Sequence, residues 1–289
     1  MTKPITLREF YAMFPDDDAC LDHLFKQRFG SVEVCPKCER PSKFHRLSAE
    51  KAYSCQHCGH HIHPMADTPF HNTHMPLQNW FYAMYLFTAT RHGVSAKELQ
   101  RQFGCSYKSA WRMGHEIRKY LAIVDGNEPL DGDVEADETY VGGKRKGGKR
   151  GRGAAGKTVV FAMQDRDGDL ISKIVPDVKK ATLTAEIEMH VAKGSTVHTD
   201  ELASYNDVAL NGYEHKRVQH SVGEYAKDGS HVNTVEGFFS IIKRSIRSTH
   251  IHVSGKYLSN YLGEFEYRHN RRAEPRTMFL RLMAFSPAS

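Results

Sequence analysis

The stretch D-V-E-A-D-E-T-Y-V-G-G, residues 133–143, reads as the first β-strand of an α/β domain. It carries Asp137 toward its end, with Glu138 as the neighbouring alternative carboxylate. Downstream, T-V-V-F-A-M-Q-D and D-L-I-S-K-I-V-P form a hairpin pattern about Arg166-Asp167-Gly168. T-L-T-A-E-I-E-M-H-V-A follows with helical periodicity, then the strand S-T-V-H-T-D, which closes on Asp200, then a short helix in L-A-S-Y-N-D-V-A. Three antiparallel strands and a helix crossing to a parallel strand make a mixed sheet in which the first and fourth strands are neighbours. Asp137 and Asp200 therefore meet.

A third acid, Glu236, opens the amphipathic stretch V-E-G-F-F-S-I-I-K-R-S-I, with 35 residues between it and Asp200. Lys243 is seven residues further, about two helical turns, and so shares its face. Three carboxylates converging in this way suit two divalent ions about 4 Å apart, the arrangement that clamps both oxygens of a phosphodiester displacement. The strand order is that of a ribonuclease-H-like domain. Asn233, one turn before Glu236, is an alternative third ligand, and His231 a weaker one. A charged oxygen suits magnesium better than an amide, which favours Glu236. His198 and His231 are candidates to assist proton transfer or to serve as structural histidines.

Outside this domain the cysteines are the strongest signal. Cys35-Pro-Lys-Cys38 and Cys55-Gln-His-Cys58 are two C-x-x-C pairs with sixteen residues between them. That spacing fits a closed four-thiolate zinc site, one structural Zn2+ per chain, with a hairpin between the knuckles. Zinc supplies folding energy that about 30 residues cannot draw from a core. Nearby His57, His60, His61 and His63 are then surface or phosphate-contacting residues. Cys20 and Cys105 read as ordinary semi-buried residues.

Between ribbon and sheet, L-Q-N-W-F-Y-A-M-Y-L-F-T-A-T (77–90) reads as a buried helix. Ser95 caps a short helix with Glu98 as its capping-box partner, Gly104 breaks it, and Ser106 caps the next. Two helices about a glycine turn are a helix-turn-helix candidate, with Tyr107, Lys108, Ser109 and Arg112 leading the recognition helix. After Tyr140, seven Lys or Arg fall between Lys144 and Lys157 among glycines and without an acid. Lys144, Arg145, Lys146, Lys149 and Arg150 thus form a basic loop for phosphates. Lys256–Asn270 reads as a helix followed by Arg271, Arg272 and Arg276, and Met278–Phe285 as a last short helix.

Length and charge are consistent with this division. The 289 residues suit two or three domains. A net charge of +6 is mildly basic, so its distribution matters more than its total. No apolar run approaches the roughly 20 residues of a membrane span. The expected division is a helical segment at 1–33, a zinc ribbon at 34–64, a helical helix-turn-helix region at 65–128, and the sheet domain with C-terminal helices at 129–289.

In these blocks the chain resembles insertion-sequence DDE transposases with an N-terminal zinc ribbon, the ISXO-like group. The resemblance rests on C-P-K-C, C-Q-H-C, T-P-F-H-N-T-H-M-P-L-Q-N-W-F, S-Y-K-S-A-W-R-M, D-E-T-Y-V-G-G-K, H-T-D-E-L-A-S-Y and H-V-N-T-V-E-G-F-F-S-I-I-K-R. It implies a transposase that cleaves and joins DNA with two Mg2+ or Mn2+ ions held by Asp137, Asp200 and Glu236, Lys243 being the accompanying base and Arg244 its basic neighbour. It implies double-stranded DNA partners, the element's terminal inverted repeats and a target, met by a homodimer or higher oligomer at the prokaryotic nucleoid in the cytoplasm. Two other readings compete: an inert zinc-ribbon and helix-turn-helix regulator, and a ribonuclease-H-like nuclease without strand transfer.

Overall fold

A computed structural model describes residues 3–126, 128–142, 157–166, 168–218 and 231–284. The chain forms two compact units, one of Met1–Ile123 with Ala273–Ser289, the other of Val124–Arg272.

The first unit begins with α1 (Leu7–Met13), held by a capping box between Thr6 and Glu9, and α2 (Asp17–Phe29), capped by Asp16. Three short strands follow, β1 (Phe44–Arg46), β2 (Tyr53–Cys55) and β3 (His61–Ile62), in one antiparallel sheet. α3 (Leu77–Ala89) buries Trp80, Phe81, Met84 and Phe87. α4 (Ala96–Phe103) ends at Gly104, whose φ of 61° is left-handed, the conformation glycine adopts most readily. α5 (Tyr107–Asp125) follows. Ser95 and Ser106 cap these two helices through the amides of Glu98 and Ser109. The reciprocal half of the box expected at Ser95 is replaced. The Glu98 carboxylate instead accepts from Gln102 at 2.9 Å and from Arg101, partners that helical spacing brings equally near.

The second unit is a five-stranded sheet ordered β6-β5-β4-β7-β8, from β4 (Asp133–Gly142), β5 (Lys157–Asp165), β6 (Leu170–Val175), β7 (Thr196–Thr199) and β8 (Glu214–Arg217). β4, β5 and β6 are antiparallel, whereas β7 runs parallel to β4 and β8 parallel to β7. β8 has no counterpart in the sequence reading, because E-H-K-R has no apolar alternation. It is an edge strand, where charge is tolerated and blunts further pairing. The short helix expected after Asp200 is a pair of 3-10 turns, Ala203–Tyr205 and Val208–Asn211.

Helices cover both faces. α6 (Lys180–His190) packs Leu183 and Ile187 with Val134, Ala136, Phe161 and Val197 on one side. On the other, α7 (Asn233–Ser245) and α8 (Gly255–Asn270) pack Phe238, Ile242, Leu258 and Leu262 with Val141, Val160 and Ala162. The side chains of β4 therefore alternate, even positions toward α6 and odd positions toward α7 and α8.

The last helix, α9 (Pro275–Leu282), starts at a proline suited to a first turn. It groups with the first unit, where Phe279 meets Phe10, Phe14 and Tyr85, rather than with the segment from residue 129 to which it was expected to belong. Its apolar face is what the N-terminal helices need to close their core. Cys20, expected to be semi-buried, is fully buried. No helix among the described residues is long and apolar enough to cross a membrane.

Candidate metal centres

The four cysteines come together as the spacing predicts, with all Sγ atoms within 4.8 Å of one another. Cys35 and Cys58 lie 3.7 Å apart and Cys38 and Cys55 3.9 Å. These are far beyond a disulfide bond, and close to the edge of a tetrahedron drawn with Zn–S bonds of about 2.3 Å. Each knuckle closes with the same hydrogen bond, Glu39 N to Cys35 O at 2.9 Å and Gly59 N to Cys55 O at 3.1 Å. Glu39 and Gly59 follow their pairs with left-handed φ of 56° and 70°. The two knuckles are thus alike in hydrogen bonding and in backbone conformation. Two of the neighbouring histidines have partners of their own: His57 bonds to Pro41 O and Gln56, and His61 lies 3.4 Å from Glu50. The donor set is complete without them.

A second cavity, of about 440 Å³, opens in the sheet unit and is lined by Asp137, Glu138, Asp200, Glu201, Leu202, Ala203 and Glu236. Asp137 sits in the middle of β4 rather than at its end. What ends nearby is pairing, since β7 accompanies β4 only as far as Glu135. The cavity therefore lies beyond the end of β7, where the antiparallel and parallel halves of the sheet divide, the position at which open α/β sheets leave a crevice. Asp137, at an odd position, faces α7. Asp200 Oδ1 accepts from Leu202 N at 2.9 Å, which fixes the turn leaving β7. Glu236 stands in the first turn of α7, exposed over the same cavity.

Among the described residues the cavity lining holds five carboxyls and no basic side chain. Burial pushes the Asp137 carboxyl up to about 8, with Glu138, Asp200 and Glu236 adding repulsion and a 2.8 Å bond from Glu138 N opposing it. Among the described residues no three carboxylates come as close as the cysteines do, as like charges predict. Lys243, half-buried, has its ammonium disfavoured by burial and restored in part by Asp137 and Glu236. It therefore faces the acids, as its seven-residue spacing requires.

Asn233 is exposed and lies outside the cavity lining, and His231 faces Glu135. His198 is buried and pairs with Asp133 at 2.6 Å. Lys243, Arg244, Arg247, Ser240 and Ser248 line an open groove of about 450 Å³. In the first unit, Tyr107, Lys108 and Arg112 are exposed on α5, with Arg112 donating to His71 O at 3.1 Å. Lys144, Arg145, Lys146, Lys149 and Arg150 lie outside the described residues. Three arginines near the C-terminal end are held in ion pairs: Arg268 with Glu264, Arg271 with Asp169, and Arg276 with Glu9.

The sequence reading passed over Glu135 and Glu201. The signal for Glu135 lay in the alternation Asp133, Glu135, Asp137, since residues two apart on a strand share a face.

A four-cysteine ribbon and a separate acidic cavity on a mixed sheet define a class, and comparison with known proteins gives the family. Residues 129–270 match the model of the ISXO2-like transposase domain, and residues 15–61 the transposase zinc-ribbon domain. A protein in transposable element ISH50 of Halobacterium salinarum is 30% identical over 263 residues, covering 83% of this chain and 86% of its own. A transposase-like protein of Haemophilus influenzae is 30% identical over 97 residues, 34% of this chain and 77% of its own. A chain of the pre-cleavage Mos1 transpososome aligns at a TM-score of 0.26 and 12% identity, over 65% of this chain and 73% of that one, too slight a likeness to build on. The chain belongs to the ISXO2-like transposases of insertion sequences, with a zinc ribbon ahead of the transposase domain.

Proposed function

We propose that this transposase binds the ends of its element and cleaves and joins DNA at the cavity of Asp137, Asp200 and Glu236, on a ribonuclease-H-like sheet. The observation that carries the reading is the convergence of these three acids, from β4, the end of β7 and the first turn of α7, on one cavity. A carboxyl that holds its proton near neutrality among other acids marks a site built to be completed by cations.

When bound there, two Mg2+ or Mn2+ ions supply charge neutralisation at the scissile phosphate and an activated oxygen nucleophile. Asp137 and Asp200 offer oxygens from adjacent strands, and Glu236 offers its own from across the cavity. Lys243 and Arg244 hold the phosphates beside the reacting one. Water displaces the 3′ oxygen at the element end, and the freed 3′ hydroxyl then displaces a target oxygen, both being displacements at phosphorus. The zinc ribbon and the α4–Gly104–α5 pair, acting as a helix-turn-helix with Tyr107, Lys108 and Arg112 leading, recognise the ends; the basic loop at 144–150 adds phosphate contacts. Two ends need two active sites, so a homodimer or higher oligomer on DNA is the working form.

Asp137→Ala, Asp200→Ala and Glu236→Ala are expected to abolish cleavage and joining while end binding stays within about twofold, because these acids serve the displacement at phosphorus rather than recognition of the ends. Binding and strand transfer on labelled element ends measure this. Full activity in Glu236→Ala would transfer the third role to Asn233. Joining of pre-cleaved ends separates a transposase from a nuclease, and metal-dependent nicking separates either from an inert regulator.

A further inference from the structure

Glu135 is fully buried two residues before Asp137, and the proposed chemistry leaves it unused. α7 has no side-chain cap of its own, since its N-cap position is Val232. Glu135 fills that role from another element. Its Oε2 accepts from Thr234 N at 2.9 Å and from Val235 N at 3.4 Å, and its Oε1 from the Thr234 hydroxyl at 3.1 Å. Arg166 Nε donates to the same carboxylate at 3.3 Å, and its Nη2 reaches His231 O at 3.3 Å. His231 Nδ1 lies 2.9 Å from Oε1, near enough for charge pairing but off the hydrogen-bonding axis.

We infer that Glu135 is a positioning residue that fastens the first turn of α7 to β4 and so sets where Glu236 stands relative to Asp137. The geometry leaves little slack. Asp137 is two residues along β4 from Glu135, and Glu236 is one residue beyond Val235. A carboxylate at a helix N-terminus also matches the helix dipole. Arg166 supplies the counter-charge that makes its burial tolerable. The Glu135–Thr234 link thus couples two of the three acids through one side chain. The inference rests on the catalytic reading above.

The test compares Glu135→Gln, Glu135→Ala and Thr234→Val, each with melting temperature, amide exchange, end binding and cleavage measured on the full chain. Glu135→Ala is expected to raise exchange at Thr234 and Val235 by about tenfold, the loss of one charged hydrogen bond. Cleavage is expected to fall about 100-fold through kcat, as for a reacting group misplaced by about 1 Å, with KM for DNA held. Glu135→Gln keeps an acceptor oxygen and is expected to recover within about tenfold of wild type. Thr234→Val loses only the hydroxyl contact, and a severalfold drop in kcat from a fully folded protein supports the same role. Wild-type exchange and cleavage in folded Glu135→Ala, or wild-type cleavage in folded Thr234→Val, overturn it, as does a loss carried by KM. Glu236→Ala run alongside separates the two readings. Its full activity overturns the catalytic assignment, whereas unchanged exchange at Thr234 in Glu135→Ala overturns the positioning role.

Discussion

Burial moves two carboxyls of the sheet unit the same way, Asp137 up to about 8 and Glu266 up to about 7. Glu266 lies on α8, accepting from Ser172 N at 2.8 Å and from the Ser172 hydroxyl at 2.6 Å. Its folded value is raised above the ordinary 4.5, so the unfolded chain ionises first. Its contribution is complete below 4.5 and is lost as pH rises toward 7. Wild type is therefore expected to lose on the order of 3 kcal/mol relative to Glu266→Gln across that window, read from urea denaturation at several pH values. The comparison with the variant is needed because His269, pushed down to about 3 by burial, acts in the opposite direction over part of the same range. An identical pH dependence in the variant would refute the assignment.

Among elements, the zinc ribbon depends most on what it binds. Its strands have two to three residues each, and its four sulfurs form the only cysteine cluster among the described residues. Chelation, or Cys38→Ser, is expected to remove one zinc per chain and to strip amide protection from β1–β3 while β4–β8 keep theirs, checked by metal analysis and hydrogen exchange. The helices on either side of Gly104 depend on local caps, and Ser95→Ala is expected to cost about 1 kcal/mol in denaturant titration. These elements were legible because their determinants lie within a few residues. C-x-x-C spacing, a capping serine and a left-handed glycine all act locally. β8 was not legible, because E-H-K-R pairs through its backbone, and its side chains carry no trace of the neighbour that orders it.

At the scale of the whole molecule, the testable property is how charge meets DNA. Lys243, Arg244 and Arg247 line one groove, and the Lys243 ammonium is favoured by Asp137 and Glu236 of the acidic cavity. If this groove follows the phosphate backbone, Lys243→Ala lowers the slope of log K against log salt by about 1, without altering preference among end sequences. A change in sequence preference with the slope intact would place Lys243 on base edges instead. Assembly on paired ends, measured by the mass of the protein–DNA complex, reports whether two copies act together.

The chain alone determined whatever depends on near neighbours or on periodicity: the ribbon and its ligands, the helix pair, the three antiparallel strands with the crossover to β7, and the candidate acids, with Lys243 on the face of Glu236. Tertiary structure decided which acids share a cavity, that Glu236 lines it and Asn233 does not, and that α9 closes the first unit. It alone revealed the cap on α7, since Glu135 meets Thr234 across 99 residues of sequence. A local pattern specifies which groups an element offers. Which of them meet depends on long-range packing, where burial and charge act between residues that the sequence sets far apart.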